Sequence, residues 1–157
     1  MILLRAITDR EKLVLKEANV EAMVAGMSQY KRANQQAVKT FCEAQVNDEV
    51  RNAQQTDLET ILTIVSTETN QVVGSIWYRL HNDAVYSDLV FICWLGIYPA
   101  YRRKGYARAA LDQVAADLKQ QGIKRMALQA FNNHQESMSL YESYGLEAKR
   151  TVMHKYL

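Results

Sequence analysis

Six consecutive apolar residues, Val90-Phe91-Ile92-Cys93-Trp94-Leu95, run without interruption into Gly96-Ile97-Tyr98-Pro99, and this stretch constrains the fold more than any other. An unbroken apolar run of strand-forming residues reads as a strand covered on both faces, and Pro99, which lacks an N–H, stops the ladder near Ile97. The period then changes. Ala107, Ala110, Leu111, Val114, Ala115 and Leu118 recur at helical spacing until Gly122, a residue suited to the left-handed conformation that ends a helix. The helix is expected to begin at about Gly105, so its first backbone N–H groups and its positive dipole end fall in a turn that carries Arg102, Arg103 and Lys104. Such a terminus attracts a phosphate.

Two nucleotide motifs are excluded, because neither Gly-x-x-x-x-Gly-Lys-Ser/Thr nor Gly-x-Gly-x-x-Gly occurs here. The spacing Arg102-x-x-Gly105-x-Ala107 puts a residue without Cβ where backbone amides must close on a ligand, and a small residue in the first helical turn. That spacing, between an apolar strand and a helix, resembles the Arg/Gln-x-x-Gly-x-Gly/Ala pyrophosphate loop of the GNAT superfamily of N-acetyltransferases. A second segment, Ser137-Met138-Ser139-Leu140-Tyr141-Glu142-Ser143-Tyr144-Gly145-Leu146, is similar to the family's Ala-x-x-Leu-Tyr-x-x-x-Gly-Phe.

The rest of the chain is consistent in length and order. At 157 residues, 48% hydrophobic and 23% charged, it suits a single globular domain over residues 1–157. One proline and six glycines leave no linker or repeat. The first apolar residues are too few for a signal peptide, and no run approaches the roughly 18 residues of a membrane span, so a cytoplasmic location is expected. Cys42 and Cys93 stand far apart and outside any Cys-x-x-Cys, which predicts neither a disulfide nor a metal site.

In chain order, a strand is expected at Leu3 to Ile7, followed by Thr8-Asp9-Arg10-Glu11 as a capping box and a helix with Val20, Met23, Val24 and Met27 on one face. Met23 and Met27 read as core packing, or alternatively, with Tyr30, as a wall of an acceptor pocket. A second helix is expected from about Asn34 to Val46. Strands at Ile61 to Val65 and Val72 to Leu80 form a hairpin across Glu68-Thr69-Asn70-Gln71, and His81-Asn82-Asp83 leads to a long strand from Val85 to Ile97. After the central helix comes a strand at Arg125 to Phe131, paired parallel to the long strand. A helix over Gln135 to Tyr144 and a last strand or hairpin over Leu146 to Tyr156 complete the order. This is an α/β (α+β) chain with a central mixed, mostly antiparallel sheet flanked by helices, the order of the GNAT fold.

The resemblance implies an acetyltransferase that moves the acetyl group of acetyl-CoA directly to an amine acceptor, a small molecule or a peptide amine. No covalent enzyme intermediate and no metal are implied. It places Arg102, Arg103, Lys104, Gly105, Tyr106 and Ala107 at the pyrophosphate and the backbone of Leu95 to Ile97 at the thioester. The Tyr141 hydroxyl falls beside the cofactor sulfur. Seven residues before this tyrosine the family usually has an asparagine on the pantetheine arm. Here that position is His134, preceded by Asn132 and Asn133, so Asn133 and His134 are candidate cofactor contacts. Many relatives carry a glutamate as general base one residue before the position of Ile97, where this chain has Gly96. A free alkylamine has a pKa near 10, so only about one molecule in a thousand is neutral at neutral pH, and Asp88, Glu21 and His81 are the candidate proton acceptors by type. Gly96 also keeps open an acyl-CoA sensor without turnover. The basic turn with Tyr101 and Tyr106 suggests, more remotely, a nucleic-acid module. The net charge of +2 argues against a polyanionic partner. Residues 81–157 are the more basic half, with ten Lys/Arg to seven Asp/Glu against nine to ten before them. Weak alternation in Leu146 to Leu157 predicts an edge strand that pairs two subunits.

Overall fold

The computed structural model describes residues 1–30 and 34–157. Its frame is a five-stranded sheet in the order β1-β2-β3-β4-β5, with β1 Ile2–Ala6, β2 Glu59–Ser66, β3 Val72–Leu80, β4 Leu89–Ile97 and β5 Arg125–Leu128. The first three pairings are antiparallel, and β4 pairs β5 in parallel. The parallel pair requires a crossover, which is made by α3, Tyr106–Lys119. The remaining helices are α1 Asp9–Met27, α2 Gln35–Ala53 and α4 Gln135–Tyr144.

Local chemistry fixes the first helix. The Thr8 hydroxyl accepts the Glu11 N–H at 3.3 Å while a Glu11 carboxylate oxygen accepts the Thr8 N–H at 2.9 Å, the reciprocal capping box predicted from the sequence. The same carboxyl group holds the Arg5 guanidinium at 2.6 Å and the Thr63 hydroxyl at 2.8 Å, so α1 is tied to β1 and β2 where it starts. These bonds hold the Glu11 carboxyl down at about 2 against the ordinary 4.5, the Arg5 hydrogen bond contributing most.

Each face of the sheet carries a core. Ile64, Ile76, Val90 and Ile92 pack with Tyr106, Ala110, Leu111, Val114 and Leu118 of α3. On the other face Trp77 packs with Leu15 of α1 and Val46, Val50 and Ala53 of α2. β4 switches its alternation between these cores. Trp94 pairs with Trp77 but Ile92 with Tyr78, leaving Cys93 as an extra residue in a β-bulge. Consequently Val90, Ile92, Leu95 and Ile97 serve the α3 side, whereas the adjacent Cys93 and Trp94 both meet the α1/α2 side.

Four expectations are revised. The long strand starts at Leu89, because the Asp83 carboxylate accepts the N–H groups of Val85 and Tyr86 and winds that segment into a turn. β5 stops at Leu128, three residues early. α2 continues to Ala53, its buried face Cys42, Val46, Val50 and Ala53 running past the predicted end. Residues 146–157 form no strand or hairpin; all but Leu146 are exposed, and the adjacent apolar pair Val152 and Met153 breaks the period of two that a half-buried strand requires.

Candidate functional site

The early end of β5 opens a gap beside β4. The parallel pairing runs from Leu89↔Arg125 to Ile92↔Leu128 and goes no further, while β4 continues five residues to Ile97. Polar groups of β4 that face the gap follow from the register. The Tyr98 N–H donates to Val73 O at 2.8 Å, and Gly96 and Trp94 lie opposite Ser75 and Trp77. In an antiparallel ladder, hydrogen-bonded and non-hydrogen-bonded pairs alternate. Tyr98, Gly96 and Trp94 therefore spend their N–H and C=O groups on β3, and those of Leu95 and Ile97 point the other way, into the gap. The Ile97 carbonyl is taken by the Arg102 Nε at 3.0 Å, which leaves the Leu95 N–H facing the opening.

At the end of β4, a 3₁₀ turn at Pro99–Tyr101 leads to the basic turn. Arg103 has φ 61° and Gly105 φ 81°, both left-handed, so the chain turns sharply between the extended Arg102 and the start of α3. A Cβ built on Gly105 would meet nothing within 4 Å. The glycine is thus required by its φ, and the space before it is free for a ligand to approach the backbone closely. α3 begins here, with Gly105 as its N-cap and no side chain capping it, so its first N–H groups and its positive dipole end stand open in the turn. Arg102, Arg103 and Lys104 are exposed, and among the described residues no carboxylate pairs with them. Three cations that no carboxylate neutralises, Arg102 held by the Ile97 carbonyl and Lys104 over the Tyr101 ring at 5.8 Å, beside open backbone donors suit a pyrophosphate.

Tyr106 differs from its expected role. Its ring is buried in the α3 core and its hydroxyl donates to the Ser66 Oγ at 3.3 Å, so only its backbone N–H can reach a ligand in the turn. The helical period reveals this in hindsight, since Tyr106, Ala110, Val114 and Leu118 form one face. Ala107 is partly buried in the first turn, where its methyl leaves room.

Tyr141 lies on α4, whose end is set by Gly145 at φ 98° with Leu146 N–H bonded to Tyr141 O at 3.0 Å, a Schellman stop. Burial pushes the Tyr141 phenol above its ordinary range, which keeps the hydroxyl protonated. Of the two pantetheine candidates, Asn133 is engaged elsewhere: its Nδ2 donates to Ala25 O and Gly26 O at 3.2 and 3.3 Å, clamping the end of α1. His134 is the N-cap residue of α4, partly buried, its ring 5.7 Å edge-on from Phe131.

The side of β4 that faces α1 holds an indole where an acid was sought. A Cβ on Gly96 would come within 2.3 Å of the Trp94 ring, and Trp94 Nε1 donates to Ser75 Oγ at 3.0 Å. The indole therefore lies over Gly96, and any side chain there would displace it. Two of the three candidate bases lie far from Gly96. Asp88 is bound to Arg125 at 2.5 Å next to Leu89, and eight strand steps put that end of β4 roughly 26 Å from Ile97. His81 sits in the same region, 3.7 Å from Asp83, and Glu21 is an exposed residue on the groove between α1 and α2. Cys93 is also unsuited to nucleophilic chemistry, because burial pushes its thiol up to about 12.

A bulged central strand that parts from its parallel neighbour and leads to a glycine turn at a helix N-terminus gives this α/β fold one open end with free backbone donors. The family model for the acetyltransferase (GNAT) family matches residues 24–146, and the chain belongs to this family. An uncharacterized N-acetyltransferase of Bacillus subtilis (strain 168), YycN, is 36% identical over 89 residues, covering 55% of this chain and 54% of YycN. That match thus spans about half the length of the relative. The crystal structure of Bacillus subtilis YycN superposes with a TM-score of 0.86 at 22% identity, over 100% of this chain and 99% of that one. The PaiA N-acetyltransferase of Thermoplasma acidophilum, solved with coenzyme A, gives 0.71 at 15% identity over 97% and 93%. These structural likenesses establish the fold. Among the described residues no group of His, Cys, Asp and Glu is placed to hold a metal ion, and no helix is long and apolar enough to cross a membrane.

Proposed function

We propose that this protein is an N-acetyltransferase that passes the acetyl group of acetyl-CoA directly to an amine held in the same complex. The observation that carries the reading is the gap left where β5 stops at Leu128 while β4 runs on to Ile97, followed in the chain by the open turn at Gly105. Acetyl-CoA, when bound, supplies the activated thioester. Arg102, Arg103, Lys104 and the first amides of α3 hold the pyrophosphate. The Leu95 N–H donates to the thioester carbonyl oxygen, where negative charge develops as the amine attacks. The Tyr141 hydroxyl gives its proton to the departing sulfur. No carboxylate of β4 takes the amine proton, so the amine attacks in its neutral form, and the proton that its nitrogen loses as the intermediate collapses passes through solvent to the Tyr141 phenolate. A sensor without turnover is disfavoured by this complete set of donors, since a mere binder needs neither a carbonyl donor nor a buried protonated phenol. The basic cluster of the turn is only three residues long in a chain of net charge +2, which suits one pyrophosphate rather than a nucleic-acid track.

Calorimetric titration tests the donor site. The protein is expected to bind acetyl-CoA and CoA in preference to ATP or NAD. Gly105→Asp adds a negative charge and a Cβ at φ 81°, so binding should fall by at least tenfold while the fold persists. Unchanged acetyl-CoA affinity in this variant would place the phosphate site elsewhere.

A further inference from the structure

α4 carries Tyr141, yet none of its residues is fully buried, so its position depends on a few side-chain contacts rather than on a core of its own. Just before its N-terminal end the fastening is Asn133, which donates to Ala25 O and Gly26 O of α1 at 3.2 and 3.3 Å. At its C-terminal end, among the described residues, the polar fastening comes from α3. The Arg108 guanidinium donates to Ser143 Oγ at 2.9 Å and lies 5.4 Å from the centre of the Tyr144 ring, and the Tyr144 phenol is hydrogen-bonded to Asp112.

These contacts reach Tyr141 by two routes. Ser143 Oγ accepts from Arg108 and itself donates to the Leu140 carbonyl at 2.9 Å, so the guanidinium grips the backbone just before Tyr141. Tyr141 and Tyr144 stand three residues apart, neighbours on one face of the helix, and Tyr144 packs against the core that α3 shares with the sheet. A roll of α4 about its axis would carry both phenols together, and Arg108 resists that roll. It does so from the first turn of α3, as the third residue after the Gly105 cap, where backbone N–H groups are still open. Burial alone raises the Tyr141 phenol, with no charged group among the causes, so Arg108 acts on it through position and not through acidity.

We propose that Arg108 is a positioning residue for the transfer: its guanidinium holds the C-terminal half of α4 against α3 and so keeps the Tyr141 hydroxyl in place for the departing sulfur. This rests on the role given above to the Tyr141 hydroxyl. Because the same residue lies in the first turn of α3, it ties the grip on the donor to the placement of the acid. Placement matters steeply, since a misplacement of about 1 Å can cost roughly 10²-fold in rate.

The test follows CoA release from acetyl-CoA with hydroxylamine as acceptor, a small nucleophile that is neutral at neutral pH, together with hydrogen exchange of residues 135–144. Arg108→Met keeps an unbranched stem and removes the cation and the donor. It should lower kcat about three- to tenfold, the combined worth of an exposed cation–ring contact and a hydrogen bond, and quicken exchange in α4. The calorimetric Kd for acetyl-CoA should hardly move, because the backbone of the turn is unchanged. Arg108→Lys, which retains the charge over the ring, should recover part of the loss. In a Tyr141→Phe background Arg108→Met should cost nothing further, since there is no longer a hydroxyl to misplace. Losses that multiply in the double variant overturn the proposal and leave Arg108 a support of the fold, and so does unchanged exchange in α4. A Tyr141→Phe variant with the parent's kcat removes the acid itself and this proposal with it, an outcome the single variant alone identifies.

Discussion

The Tyr141 hydroxyl can serve a departing thiolate only while it holds a proton, and burial raises its pKa without any charged partner among the causes. Among the described residues no hydrogen bond ties up the proton in advance. Tyr144, on the same helix, makes the contrast: its phenol is pushed to about 12 by burial and by a hydrogen bond to Asp112, and its ring carries the Arg108 guanidinium at 5.4 Å. Tyr144 is therefore spent in joining α4 to α3, whereas Tyr141 remains available. Removing its oxygen in Tyr141→Phe keeps the ring, so melting temperature and acetyl-CoA affinity should hardly move. General acid assistance contributes about 10²–10⁴-fold, and the lower end is expected because a thiolate leaves readily. A phenylalanine variant with kcat within about threefold of the parent, outside that range, would return Tyr141 to a packing role.

Elements are joined at Glu11, whose carboxyl group binds Arg5 of β1, Thr63 of β2 and the Thr8 N–H at the start of α1. Its folded-state pKa is depressed to about 2. The stability it contributes is thus fully present above the ordinary 4.5 and is lost as pH falls from there through about 2. Glu11→Gln keeps the shape but weakens charge-assisted bonds, a loss of about 2 kcal/mol at pH 7 by the usual worth of such bonds. The variant should also show a flatter dependence of the urea midpoint on pH in that window. An unchanged slope would mean that the ion pair survives in the unfolded chain or forms nothing in the folded one. Such elements explain what the sequence makes legible. The Thr8 box, the Val72–Leu80 strand and the Gln135–Tyr144 helix are all bounded by local signals, namely caps, turns and a glycine stop, and the structure places them where they were expected. The Cys93 bulge carries no local mark, because an extra residue is defined only against a partner strand. The same holds for the early end of β5: nothing in Gln129-Ala130-Phe131 says that the neighbour has parted. The glycine turn is readable from spacing, but the Trp94 indole over Gly96 and the seat of the Phe131 ring against Gly26 exist only once distant segments have met.

At the scale of the whole molecule, the sheet separates α3, packed on one face, from α1 and α2 on the other. The open N-terminus of α3 follows β4 in the chain, and the last turn of α1 is held by Asn133 from the segment before α4. Residues 146–157 reach this arrangement at one point, the stack of His154 on Tyr30, and no residue after Tyr144 belongs to either core. The edge-strand dimer expected from this segment has no strand to form it. Removing residues 150–157 therefore separates the scales. Losing exposed side chains outside the core should change stability by no more than about 0.5 kcal/mol, so melting temperature should be nearly constant. Acetyl-CoA affinity should also be constant, because the turn at Gly105 is untouched. Light scattering at micromolar concentration should give the same mass with and without the segment. A truncated chain that changes mass would restore the segment as a subunit contact, and one that loses most of its stability would show that residues 150–157 support the fold.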